Sequence, residues 1–127
     1  MSDIKLIHTD NAPAAVGPYS QAAAANGMLF VSGQLGIILG KGKFAEGFEA
    51  QTRQALENMK SILEAAGSSL EKVLAVDVFV LDMKKFADLN AIYSEYFINH
   101  KPARAAIQVG ALPLGGLVEL KCVALSK

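Results

Sequence analysis

The chain has 127 residues, enough for one domain (residues 1–127) that buries a core. Twelve Lys and Arg balance twelve Asp and Glu, a formal net charge of +0, so no basic tract is available to neutralise phosphates and a nucleic-acid partner is not expected. A single cysteine, Cys122, excludes an internal disulfide and a cysteine-based zinc site, and no apolar run is long enough to span a bilayer.

Hydrophobic residues make up 52% of the chain, high for a monomer of this size, which predicts apolar surface buried between subunits. The opening Met1-Ser2-Asp3-Ile4-Lys5 lacks the charged start and apolar run of a signal peptide, so a soluble cytoplasmic protein is expected.

Ile4 to Ile7 is a short strand candidate, followed by a turn-rich stretch holding Asp10-Asn11 and Pro13. Gly17-Pro18 launches a second strand. Tyr19 to Ala25 and Met28 to Gln34 flank Asn26-Gly27, the pair that suits a type I′ hairpin turn. Ser32-Gly33 near the end of the second arm offers a hydroxyl beside a backbone that a ligand can approach, or a plain strand terminus. Gly36 to Gly47 is a glycine-rich loop. Its Gly40-Lys41-Gly42-Lys43 has a phosphate loop's residue types but not the strand–loop–helix spacing, and is discounted.

Phe48 to Ala66 is the clearest helix. Phe48, Thr52, Ala55, Leu56, Met59, Ile62, Leu63 and Ala66 form one apolar stripe, and Gly67 closes it. Val73 to Leu81 is a valine-rich central strand with Asp77 as its odd polar residue. Asp82 caps a second helix striped by Phe86, Leu89, Ile92 or Tyr93, and Tyr96 or Phe97. Tyr93 and Tyr96 read as aromatics at the edge of the core. His100, after that helix, reads as a surface residue, and neither it nor His8 has a metal-ligand spacing, so no metal is expected.

Two strands finish the chain, Arg104 to Val109 and Leu117 to Leu125, around a bend rich in Gly and Pro. Each carries one unexpected charge. If these strands pair beside the bend, Arg104 and Glu119 fall at similar heights. A guanidinium offers a fixed fork to a substrate carboxylate, and a carboxylate beside water can move protons. A cross-strand ion pair, or two charges in solvent, accounts for the same residues. Two helices suffice to cover one face of a sheet of about six strands, which leaves the other face for subunit association.

Four segments, in order and spacing, resemble the RidA/YjgF family, whose members also carry the name endoribonuclease L-PSP. They are Asn11-Ala12-Pro13 with Gly17-Pro18-Tyr19-Ser20-Gln21; Val31-Ser32-Gly33-Gln34; the helix Gln51 to Gly67 with Asn58; and Pro102-Ala103-Arg104 with Val118-Glu119-Leu120. The resemblance implies a chorismate-mutase-like α+β subunit with a mixed sheet of about six strands and two helices on one face. It also implies a homotrimer with a barrel-like centre and clefts between neighbouring subunits. The implied activity is hydrolysis of reactive 2-imino or enamine acids, such as 2-iminobutanoate and 2-iminopropanoate, to 2-keto acids and ammonia without a cofactor. By the same resemblance Arg104 clamps the substrate carboxylate and Glu119 handles water as the catalytic pair. Tyr19, Ser32, Gly33, Asn90 and Ala106 line the cleft with Arg104.

Three departures from the family pattern bear on substrate preference: the short link Asn99 to Pro102, alanines at 105 and 106, and Lys121 near Glu119. Two further functions are carried beside the deaminase. One is an endoribonuclease on single-stranded RNA, for which the sequence has no histidine pair and no basic stripe. The other is a non-enzymatic, chaperone-like module that binds small carboxylates.

Overall fold

The computed structural model describes residues 3–126. Met1, Ser2 and Lys127, which complete the predicted 1–127 domain, lie outside the described residues. The elements run β1 (Lys5–Ile7), β2 (Ala22–Ala25), β3 (Met28–Leu35), α1 (Phe48–Ala65), β4 (Val73–Val80), α2 (Phe86–Tyr96), β5 (Ala103–Gln108) and β6 (Val118–Leu125). The six strands form one mixed sheet in the order β1-β2-β3-β6-β4-β5, antiparallel except for β4 beside β5.

Local chemistry explains most boundaries. Asn26 and Gly27 both take positive φ, 52° and 77°, as a type I′ turn requires, and they join β2 to β3. The strand predicted from Tyr19 begins only at Ala22. The Gln21 side chain is used instead to hold the preceding loop: its Oε1 accepts from Thr9 N at 2.7 Å and its Nε2 donates to Pro13 O at 2.9 Å. Helix α1 ends in a Schellman motif, with Ser68 N–H donating to Leu63 O and Gly67 N–H to Glu64 O. Asp82 does cap, but it caps a single 3-10 turn, Met83–Lys85, that leads into α2.

Both helices cover the same face of the sheet. Helix α1 packs on β3 and β6 and against α2, and Leu29, Leu56, Met59, Val76, Leu89 and Leu120 share one fully enclosed core. Asn58 is buried within this layer. Its Nδ2 donates to Leu35 O and Ile37 O, which ties the end of β3 to the helix. The opposite face has no cover among the described residues. Leu6, Ala23, Phe30 and Val123 follow one another across four strands there, with Leu6 64% and Phe30 51% exposed.

Two sequence expectations are corrected. β5 and β6 do not pair, because β4 lies between them. His100 is not a free surface residue: it is half-buried, and its Nε2 lies 2.6 Å from Val73 O, a contact in which that nitrogen must donate. Asp77 sits on the uncovered face with its Oδ2 3.9 Å from Lys121 Nζ, on the next strand, and has no part in the cleft described below.

Candidate active site

The register separates the two unexpected charges. Arg104 aligns with Val76, which aligns with Cys122, while Glu119 aligns with Phe79 and Ile107. Glu119 and Cys122 are three positions apart on β6, an odd step, so Arg104 and Glu119 project from opposite faces. Val76 and Cys122 are buried under the helices, which puts Arg104 on the helix side and Glu119 on the uncovered side. The cross-strand ion pair does not form: among the described residues, Arg104 pairs with no carboxylate.

On the Glu119 side, a cleft of about 480 Å³ opens between the loop before β2, the end of β3 and the turn Pro113–Gly115. Tyr19, Ser32, Gly33 and Glu119 all line it. The pairing of β3 with β6 shifts register between Val31 and Gln34, so Ser32 and Gly33 fall at a break in the ladder. Gly33 faces the carboxyl directly. A Cβ built on it would stand 2.7 Å from Glu119 Oε2, so the close approach of Glu119 to the β3 backbone requires glycine there. Burial raises the Glu119 carboxyl above the ordinary carboxylate range, and Lys121 offsets this only in part. The Ser32 hydroxyl donates to Ser20 O at 2.6 Å, so its one proton is committed and its oxygen remains an acceptor. The Tyr19 hydroxyl accepts from Val16 N at 3.2 Å and keeps its proton available.

On the other side, Arg104 lies on the edge strand β5 against α2. Its Nη1 donates to Asn90 Oδ1 at 2.9 Å. Its guanidinium carbon stands 4.8 Å from the centre of the Tyr93 ring and 5.5 Å from that of Phe86. Ala106, two residues along β5, is half-buried and packs against the core. The predicted residues therefore fall into two groups: Tyr19, Ser32, Gly33 and Glu119 in the cleft, and Asn90, Arg104 and Ala106 at the β5 edge. Phe86 and Tyr93 join these residues and are not among those expected from the sequence. Their spacing around Asn90, four residues before and three after, puts all three on one helical face and was the available signal.

Among the described residues, no group of three or more His, Cys, Asp or Glu is placed to hold a metal ion. No described helix is long and apolar enough to cross a membrane.

The family model described as endoribonuclease L-PSP matches residues 9–126. The chain belongs to this family. Among L-PSP relatives, a Bos taurus protein named 2-iminobutanoate/2-iminopropanoate deaminase is 44% identical, over 94% of this chain and 88% of its own. The crystal structure of RidA from an Antarctic Psychrobacter superposes with a TM-score of 0.93 at 45% identity, covering 95% of this chain and 98% of that one. Escherichia coli TdcF, solved with bound serine, superposes with a TM-score of 0.91 at 35% identity and the same two coverages. The L-PSP fold is thus the α+β sheet with two helices that the resemblance implied.

Proposed function

We propose that this chain is a deaminase that hydrolyses reactive 2-imino and enamine acids to 2-keto acids and ammonia. The observation that carries this reading is Arg104, a half-buried guanidinium held by a neutral amide and two aromatic rings, with no carboxylate partner among the described residues. A cation fixed in this way is suited to an anionic ligand, and its planar fork matches a carboxylate. The bovine relative is named for this reaction, and the TdcF structure holds an amino acid, which carries the same carboxylate.

The chemistry asks for little beyond orientation. Arg104 holds the substrate carboxylate and fixes C2. Glu119 holds a water and takes its proton as the water oxygen adds to the iminium carbon. The resulting carbinolamine collapses to the ketone as its nitrogen leaves with a proton, so one iminium acid and one water become one keto acid and one ammonium ion. Tyr19 has a proton to donate within the cleft, and Ser32 can accept one hydrogen bond from the ligand or its water. As written, the reaction needs no cofactor.

Because the two charges lie on opposite faces, one chain does not assemble this site. A homotrimer that seats the β5 edge of one subunit beside the Glu119 cleft of the next would complete it. The uncovered apolar row through Leu6, Phe30 and Val123 supports association, and the number three comes from the resemblance. The imino acids are products of amino-acid dehydration, and a cytoplasmic location for this protein is part of the same proposal. The residues lining the cleft include no histidine, lysine or arginine, which does not favour RNA cleavage.

The deciding experiment generates 2-iminobutanoate in place with a threonine dehydratase and follows keto-acid release. Acceleration by wild type and its loss in Arg104→Ala is expected. Release at the rate of the buffer control, with several amino-acid precursors, would remove the proposal.

A further inference from the structure

Helix α2 presents three side chains to Arg104. Asn90 accepts one hydrogen bond from it, while Phe86 and Tyr93 set their ring faces against the guanidinium. Tyr93 is itself stacked on Phe97, with centroids 4.7 Å apart, and is only 8% exposed, so its ring has no freedom to swing away. Its hydroxyl is buried without a hydrogen-bond partner among the described residues. A buried hydroxyl of that kind costs stability, so the ring rather than the hydroxyl accounts for an aromatic residue here. Helix α2 is in turn fixed to α1 by Arg53 and Glu95 and by the Tyr96 hydroxyl donating to Glu57 at 2.7 Å.

We infer that Tyr93 and Phe86 are positioning residues that hold the Arg104 guanidinium between two aromatic faces, with its fork aimed outward from the β5 edge. The inference rests on the proposed role of Arg104 as the carboxylate clamp. A ring face attracts a cation without neutralising its charge, so it restrains Arg104 while leaving both fork positions to the ligand. An acidic residue in the same place would restrain it equally well and compete with the substrate. Asn90 fits the same logic: its amide oxygen sets the plane of the guanidinium and adds no opposing charge. Preorganisation of this kind shows in carboxylate binding rather than in the chemical step.

The test uses the full chain with Tyr93→Leu, Phe86→Leu and Tyr93→Phe. Three quantities are measured on each: 2-ketobutyrate affinity by calorimetry, KM and kcat in the dehydratase-coupled assay, and melting temperature. Tyr93→Leu and Phe86→Leu should raise KM and the 2-ketobutyrate Kd about tenfold, with a smaller change in kcat. Tyr93→Phe, which keeps the ring, should restore wild-type KM and melt no lower than wild type. NMR of the Arg104 Nε–Hε group adds a reading independent of activity: a rigid signal in wild type that becomes mobile in Tyr93→Leu. Phe86 is 36% exposed, so its variant keeps the test open if Tyr93→Leu fails to fold. Wild-type KM and Kd in a folded leucine variant would overturn the inference, as would an Arg104 signal that is as mobile in wild type as in Tyr93→Leu. If wild type neither binds 2-ketobutyrate nor turns over, the deaminase reading falls, and the NMR comparison still decides the positioning role.

Discussion

Arg104 and Glu119 stand on opposite faces of the sheet, with β4 between their strands and three residues of register between them. Neither can serve the other as a counter-ion, and neither can share a small ligand with the other inside one chain. Their joint use requires two copies.

This arrangement predicts complementation. Arg104→Ala and Glu119→Gln should each be inactive alone. Co-folded at equal amounts, the proposed homotrimer would assort them into mixed trimers in which some interfaces pair an intact Arg104 with an intact Glu119. Random assortment makes roughly a quarter of the clefts complete, so roughly a quarter of wild-type activity should return. No recovery in proven mixed trimers would show that both residues do not serve one intersubunit site.

Arg104→Lys keeps the charge and loses the planar fork. It also loses the guanidinium that lies over the Tyr93 and Phe86 rings. Loss of the charge-assisted pair costs a few kcal/mol, so kcat/KM should fall by roughly a hundredfold or more. Melting temperature should change little, because lysine keeps a cation beside the Tyr93 and Phe86 rings and the one hydrogen bond given up is that to Asn90. A folded Arg104→Lys protein with normal turnover would remove the clamp from the mechanism.

The elements governed by local chemistry were legible in the sequence. Asn26-Gly27 marked the hairpin, the stripe from Phe48 to Leu63 marked α1, and Gly67 marked its end. The strand order was not. Neighbouring strands around a short bend suggest a hairpin, yet β4, α2 and β5 form a parallel crossover unit that puts β5 at the edge. Composition held a trace of this: β6 buries Val118, Leu120, Cys122 and Ala124 and needs a central position, while β5 carries Arg104 and Gln108 and tolerates an edge. The Tyr93 and Phe86 stack on Arg104 depends on that long-range placement, so residue type alone could not distinguish Tyr93 from an ordinary core aromatic.

Gly33→Ala tests the cleft from its floor. The new methyl would meet Glu119 Oε2 at 2.7 Å and Cδ at 2.8 Å, closer than unbonded atoms tolerate. The carboxyl can swing away, so the chain should fold and lose at most about 1 kcal/mol of stability. The displaced carboxyl should lower kcat about tenfold or more, with 2-ketobutyrate affinity less affected. Wild-type kcat in Gly33→Ala would mean that Glu119 does not work from its present position.

Glu119→Gln separates stability from catalysis. Burial raises the Glu119 carboxyl above its ordinary value in the folded chain. Below the ordinary value, both folded and unfolded states hold the proton, and Glu119 adds no pH dependence. As pH rises from the ordinary to the raised value, the unfolded chain releases its proton first, which favours unfolding. Above the raised value the penalty is complete, so at neutral pH the carboxylate destabilises the fold. Glutamine removes the penalty, and Glu119→Gln should melt higher than wild type at neutral pH, with the difference vanishing in acid. Turnover should move the other way. If Glu119 takes a proton from water, its loss should cut kcat about a hundredfold and leave 2-ketobutyrate affinity nearly intact. In wild type, the acid limb of kcat should lie above the pH range of an ordinary carboxylate, because only ionised Glu119 is competent. A Glu119→Gln protein that melts lower at neutral pH and keeps its kcat would make this residue structural and leave the water without its base.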